Sequence, residues 1–237
     1  MKRYSQQMLL PEIGTVGQGQ LGNAKVLVVG AGGLGTVVAT YLVAMGLGKV
    51  GIVDFDEVDE TNLHRQFLYT SSEVGQKKAS VLVSKLRSQN IHVAVHPIED
   101  RITNENFAAI ISDFTIVCDC SDNLHTRLVL DKQCGLFHIP LVHGAVSDWQ
   151  GYVTLFHYIN QFQYQDLFDM ETLFKADSCA INGVSSPICG MIGSAMANET
   201  LKIVLGVNSN LDGGLLYING LGNVFKFLKL KKKEMLP

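Results

Sequence analysis

Paired cysteines are the first absence. The five cysteines (Cys118, Cys120, Cys134, Cys179 and Cys189) are odd in number and contain no C-x-x-C pair. That argues against a disulfide framework and against a zinc site recognisable from spacing. Basic excess is missing too. The formal net charge is -3, which disfavours nucleic acid and membrane surfaces as partners. Lysines gather only near the end, at Lys226, Lys229, Lys231, Lys232 and Lys233. A solvated terminus accounts for them, a surface for an acidic partner being the other reading. Residues 1–7 lack an apolar signal-peptide core and a cleavage site. Gly, Lys or Asp interrupts each apolar run before it reaches membrane-spanning length. The expectation is a soluble cytoplasmic protein.

What is present is a large supply of core. Hydrophobic residues make up 47% of the 237, enough for one large domain or one domain with an appendage. The first half alternates strand and helix. Residues 25–30 (K-V-L-V-V-G) form a continuous apolar run, as in a strand buried on both faces. Helix follows at 33–45 and a strand at 50–54. Helical periodicity returns at 73–88, then strands at 91–95 and 114–118, a helix at 124–136 and a strand at 141–145. This order predicts a doubly wound, Rossmann-like, mainly parallel α/β sheet.

The second half changes character. A strand at 151–157 precedes residues 158–183, whose periodicity is weak; a loop of that length is usually functional or mobile. Pro187 opens a helix to residue 205, rich in small residues, and Gly206 stops it. Strands at 215–218 and 224–230, joined around Asn219-Gly220, give the sheet an antiparallel C-terminal extension. No internal repeat or low-complexity linker divides the chain.

Gly30-Ala31-Gly32-Gly33-Leu34-Gly35 is a G-x-G-x-x-G between a strand and a helix. Glycines permit the tight turn and let phosphate approach backbone N–H groups at a positive helix terminus. Asp54, nineteen residues beyond Gly35, ends the next strand, where a carboxylate can accept from ribose hydroxyls. The competing reading is a turn that needs glycine only for close helix–strand packing. The motif by itself does not separate NAD, FAD and ATP.

The segment from Asp54 to Phe67 is more specific. Its D-x-D-x-V-x-x-x-N-L-x-R-Q pattern, the G-x-x-K-A around Lys78 and the D-C-x-D-N-x-x-T-R from Asp119 to Arg127 resemble the ThiF/MoeB/HesA family. Arg3-Tyr4, Leu10-Pro11, Ile13-Gly14 and Gly17-Gln18 fit as well, so the resemblance covers essentially the whole chain. Members adenylate small ubiquitin-like sulfur carriers and are related to ubiquitin-activating enzymes. The resemblance implies ATP and Mg²⁺ as cofactors, with Asp54 and Asn62 near the ribose, Arg65 and Lys78 on the phosphates, and Asp122 on the metal. It counts Gly30, Gly32, Gly33, Gly35, Asp56, Gln66 and Asn123 among the nucleotide-binding residues. It further implies one domain over 1–237, with a nucleotide-binding half (1–150) and a carrier-binding and dimerisation half (151–237).

The same residues make chemical sense unaided. A carrier's C-terminal carboxylate, with an ordinary pKa of about 3.5, is already ionised at neutral pH. Attack on the α-phosphorus then needs two anions brought together and charge neutralised, which Arg, Lys and a carboxylate-held Mg²⁺ supply. Hydride transfer has no such need. Each residue has a plainer alternative. Arg65 could be a surface ion-pair partner, Lys77 could replace Lys78, Asp122 could cap a helix, and Asp56 could cap its loop.

Three departures from the family pattern stand out. Many members bind zinc through two C-x-x-C pairs. Here the first stretch reads Gln163-Tyr164-Gln165-Asp166-Leu167-Phe168, and lysines stand where the second would fall. No zinc is expected. Gln6 replaces an Arg that often reaches the partner subunit's ATP, so either Arg3 substitutes or the rate suffers. Cys179, before Gly183-Val184, matches a cysteine with covalent chemistry in some members; a reactive thiol needs a depressed pKa. The remaining cysteines fall in apolar contexts and read as core.

The leading expectation is adenylation of the Gly-Gly C-terminus of a sulfur carrier, in thiamine or molybdopterin biosynthesis, by a homodimer whose 158–183 loop guides the carrier's tail. Relatives that activate a peptide carboxylate or dehydrate a tRNA nucleoside are the nearest alternatives within the enzymes. A non-catalytic scaffold, suggested by Gln6, and an NAD-dependent oxidoreductase complete the set.

Overall fold

In the computed structural model, residues 2–169 and 183–232 are described. The elements run α1 (Gly14–Asn23), β1 (Lys25–Val29), α2 (Gly33–Ala44), β2 (Lys49–Val53), α3 (Lys78–Gln89), β3 (Ala94–Ile98), α4 (Phe107–Ile111) and β4 (Ile116–Asp119). They continue with α5 (Leu124–Phe137), β5 (Leu141–Ser147), β6 (Gln150–Phe156), α6 (Tyr164–Leu167), α7 (Ser186–Leu205), β7 (Gly214–Asn219) and β8 (Val224–Lys229). The strands form one sheet in the order β3-β2-β1-β4-β5-β6-β7-β8. The first five pair in parallel, and β6, β7 and β8 add antiparallel. The expected doubly wound sheet with an antiparallel extension is what forms.

The physical reason is visible in β1. Val26 and Val28 face a cluster with Leu42, Leu82 and Ile192, from α2, α3 and α7. Leu27 and Val29 face the opposite cluster, with Phe107, Leu130 and Tyr164, from α4, α5 and α6. A strand whose alternate side chains enter two cores must be apolar throughout, which is what K-V-L-V-V encodes. Strand order reverses at β1, whose neighbours are β2 and β4. The crevice above their carboxyl ends is where such sheets bind ligands.

Several boundaries differ from expectation. The helix expected from residue 73 begins at Lys78, because Ser71–Glu73 is a separate single turn and Gly75 adopts φ +84°. Glu73 accepts from the Thr70 N–H at 2.8 Å and closes that turn on itself. The strand expected at 91–95 starts at Ala94, in register with Lys49 of β2, leaving Ile91 exposed. Part of the expected loop at 158–183 is the short helix α6; residues 170–182 lie outside the described residues.

Helix α7 corrects the expectation that no apolar run reaches membrane-spanning length. Its 20 residues and hydropathy of 1.2 reach the length and composition of a membrane span, yet Ile188, Ile192 and Met196 join the core beside α2. Its small residues serve this chain as well. A Cβ on Gly193 would stand 2.8 Å from Val37 of α2, so that glycine sets a close helix–helix approach within the chain.

Candidate active site

A cleft of about 530 Å³ opens at the carboxyl ends of β1, β2 and β4. The glycine turn forms its floor. Gly30 has φ +95°, and a Cβ there would stand 2.6 Å from the Cys120 carbonyl oxygen. A Cβ on Gly35 would overlap the Gly30 carbonyl oxygen. Close packing of β1, α2 and β4 therefore dictates these two glycines. Gly30, Gly32 and Gly33 all line the cleft, and of these Gly32 has the most room, a Cβ there meeting only the Gln66 amide nitrogen at 3.4 Å. Gly32 is the N-cap of α2 and offers no side-chain cap, which leaves the first-turn N–H groups available to an anion.

Asp54 braces that turn. Its Oδ2 accepts the Ala31 N–H at 2.7 Å and its Oδ1 the Asp56 N–H at 2.8 Å. Burial raises its pKa, opposed by those two bonds and by Lys78. Asp54 and Asp56 both line the cleft, and each Asp54 oxygen keeps a second lone pair for a ligand. Lys78 is only 5% exposed, and its Nζ lies 3.3 Å from Asp56. Lys77 points elsewhere, to Glu57 and the Phe55 carbonyl, both at 3.1 Å. The cleft lysine of the pair is Lys78.

Arg65 lines the cleft, held by Asn62, whose Oδ1 accepts Nη2 at 2.5 Å. Asn62 itself is not among the cleft-lining residues. Gln66 is 3% exposed, and its Oε1 has no partner among the described residues. On the other side of β1, Asn123 caps α5 by accepting the Thr126 N–H at 2.9 Å. The capping role considered for Asp122 thus falls to its neighbour. Asp122 stays exposed at the cleft wall with no hydrogen bond or ion pair among the described residues.

A buried polar network lies beneath. Asp119 Oδ2 meets His143 Nδ1 at 2.7 Å, and His143 Nε2 lies 3.1 Å from the Tyr152 hydroxyl. Burial would raise the Asp119 pKa, but the His143 bond, the charges of His143 and Arg127, and the Ser121 hydroxyl together bring it below the ordinary value. Tyr152 and Tyr164 are both pushed up by burial and stay neutral hydroxyls. Arg127 and Tyr164 line the cleft, and Arg127 donates to the Ser121 carbonyl at 2.9 Å.

The sequence reading assigned no role to Arg101 or Tyr164, and none to Arg127 despite its place in the motif. Arg101 lies 3.6 Å over the Phe55 ring, an arrangement that only the adjacency of the β2 and β3 ends creates. Cys118, Cys120, Cys134 and Cys189 are buried and free, as the apolar contexts imply. Burial raises all four thiols, Cys118 to about 12. Cys120 and Cys189 nonetheless line the cleft. Cys179 lies outside the described residues. Arg3 and Gln6 are exposed and do not reach the cleft in a single chain.

A parallel sheet whose strand order reverses at β1, a glycine turn there, and Arg, Lys and Asp side chains around it define a Rossmann-like α/β domain with an anion-binding crevice. The sequence pattern of the ThiF family matches residues 4–236, and the chain belongs to that family. It is 40% identical over 243 residues to the sulfur carrier protein adenylyltransferase of Thermus thermophilus, covering 100% of this chain and 90% of that protein. It is 40% identical over 233 residues to the adenylyltransferase and sulfurtransferase MOCS3 of Anopheles gambiae, covering 98% of this chain and 53% of the relative. The chain thus spans about half the length of that MOCS3. The crystal structure of Escherichia coli MccB with ATP superposes with a TM-score of 0.85 at 20% identity, over 99% of this chain and 73% of that one. PaaA gives a TM-score of 0.82 at 19% identity, over 97% of this chain and 73% of that chain. At those identities the structural likeness speaks to the fold.

Proposed function

We propose that this chain uses ATP to adenylate the C-terminal glycine carboxylate of a small ubiquitin-like sulfur-carrier protein. One observation carries the reading: Arg65, Lys78 and Asp122 meet the uncapped start of α2 in a single cleft. A carboxylate oxygen of the carrier attacks the α-phosphorus, and the bond from that phosphorus to the bridging oxygen breaks. Pyrophosphate leaves with the electron pair. The nucleophile is already ionised, so no general base is required. Arg65 and Lys78 neutralise the phosphates, and their partners Asn62 and Asp56 hold them in place beforehand.

Asp122 fits a magnesium ion that arrives with the nucleotide. Among the described residues no group of three His, Cys, Asp or Glu side chains could hold a metal alone. Magnesium commonly takes one or two carboxylates, with substrate phosphates and waters completing its shell. Asp122 would hold it, and the ion would supply charge neutralisation on the phosphates.

The name of the Thermus thermophilus relative supports a sulfur carrier as the acceptor. A Gly-Gly-terminated protein of the ThiS or MoaD kind, serving thiamine or molybdopterin synthesis, is the substrate class proposed, with the enzyme acting as a homodimer. ATP–pyrophosphate exchange tests this. Exchange that requires such a carrier supports it. A nucleotide-binding scaffold is the second reading, favoured by Gln6 standing where a phosphate-reaching Arg is usual. ATP binding without exchange for any carrier would establish it instead.

A further inference from the structure

The cations that line the cleft are Arg65, Lys78, Arg101 and Arg127. The first three lie on segments that follow β2 and β3, on one side of β1 in the sheet. Each has a neighbour that fixes it: Asn62 for Arg65, Asp56 for Lys78, and the Phe55 ring for Arg101. Arg127 is on the first turn of α5, after β4, on the other side of β1. Its Nη2 donates to the Ser121 carbonyl at 2.9 Å, and Tyr164 lines the cleft with it. Its Nε is buried and has no partner among the described residues.

The neighbouring carboxylate does not take that donor. Asp119 Oδ1 accepts the Ser121 N–H at 3.0 Å and its hydroxyl at 2.6 Å, while Oδ2 is held by His143 at 2.7 Å. Asp119 thus offsets the charge of Arg127 through space and leaves its Nε–H unpaired among the described residues. A guanidinium is always charged, and its planar fork matches a carboxylate. Leaving such a donor buried and unpaired disfavours the fold unless a ligand completes it.

We propose that Arg127, with the Tyr164 hydroxyl beside it, is the binding site for the incoming carboxylate. The proposal rests on the adenylation reading and supplies what that reading lacks. Two anions must meet at the α-phosphorus, and Arg65 and Lys78 serve the phosphates. Arg127 is the one cleft-lining cation on the β4 side among the described residues. There it holds a carboxylate next to Asp122 and orients one oxygen for attack.

The test uses the whole chain labelled with ¹⁵Nε-arginine, titrated with glycylglycine as the carboxylate probe, with and without the α,β-methylene analogue of ATP. The Arg127 Nε–H resonance is assigned by its loss in Arg127→Lys. It is expected to shift with glycylglycine and to stay put with glycylglycinamide, which lacks the carboxylate. With a carrier that supports exchange, Arg127→Gln is expected to raise the carrier KM tenfold or more and to change the ATP KM less than twofold. Arg127→Lys should recover part of that loss. A resonance blind to glycylglycine, or equally responsive to the amide, overturns the proposal. So does an Arg127→Gln protein that binds the ATP analogue tenfold more weakly, which would make Arg127 a phosphate ligand. Absence of exchange with every carrier, beside a glycylglycine response at Arg127, would count against adenylation and for the carboxylate site.

Discussion

Replacing the glycines of the turn one at a time separates what the fold needs from what the ligand needs. In Gly35→Ala the new Cβ would overlap the Gly30 carbonyl oxygen and stand 2.8 Å from its carbon. Ordinary carbon contacts begin at about 3.5 Å, so main chain must part by about 0.7 Å at least. Overpacking typically costs about 1–3 kcal/mol. Both sides here are backbone and neither can rotate away, which places this site near the upper figure. For a chain of this length, each kcal/mol lowers Tm by about 2–4 °C, so a fall of about 6–12 °C is expected. Gly32→Ala is the contrast. At φ -85° an alanine is unstrained, and its Cβ would meet only the Gln66 amide nitrogen, at 3.4 Å. Its N-cap loss and its gain from a stiffer unfolded chain nearly cancel, leaving Tm within about 3 °C of wild type. The added methyl stands where phosphate must approach backbone, so ATP affinity should fall at least about tenfold, or about 1.4 kcal/mol. Thermal melts followed by circular dichroism, and calorimetric titration with ATP, read the two effects. A Gly35→Ala protein that melts like wild type would refute the packing argument. A Gly32→Ala protein that binds ATP normally would refute the assignment of the turn as a phosphate cradle.

Further outcomes follow from the other side chains. Arg65→Ala and Lys78→Ala should each abolish ATP–pyrophosphate exchange while leaving the circular dichroism spectrum unchanged; near-normal exchange in either would remove that residue from the phosphate site. Asp122→Ala should lose exchange without losing stability, because its carboxylate has no partner among the described residues. Asn123→Ala, by contrast, removes the α5 cap and should cost about 1 kcal/mol in a denaturant melt. Asp119 sets an acid limit. Its folded pKa lies below the ordinary value, so below about pH 3.9 the unfolded state binds the proton first. Its contribution is complete above that pH and is lost as pH falls through the lower folded value. The stability gap between wild type and Asp119→Asn should therefore be flat near neutrality and shrink in acid; a gap that widens in acid would reverse the sign of the argument.

Features written in one short stretch of chain were legible from sequence. The apolar run of β1 and the glycine turn gave the switch point, because both depend on local periodicity and on φ values only glycine tolerates. Arg65, Lys78 and Asp122 were singled out by short motifs that resemble a known family, and the structure brings all three to one cleft. Arg101 on Phe55 was not, since forty-six residues separate them and only the β2–β3 pairing brings them together. Nor was the second task of Asp54, whose oxygens also brace the glycine turn by accepting from Ala31 and Asp56. The start of α3 was missed for a smaller reason: the positive φ of Gly75 interrupts a periodicity that continues on both sides.

Direct detection of the acyl-adenylate puts the central claim to its plainest test. A Gly-Gly-terminated carrier, incubated with this chain, ATP and magnesium, is examined by intact-protein mass spectrometry. The account predicts a carrier heavier by AMP less one water, absent when its last glycine is deleted and absent with Arg65→Ala. A carrier that stays unmodified while the chain demonstrably binds ATP would contradict it.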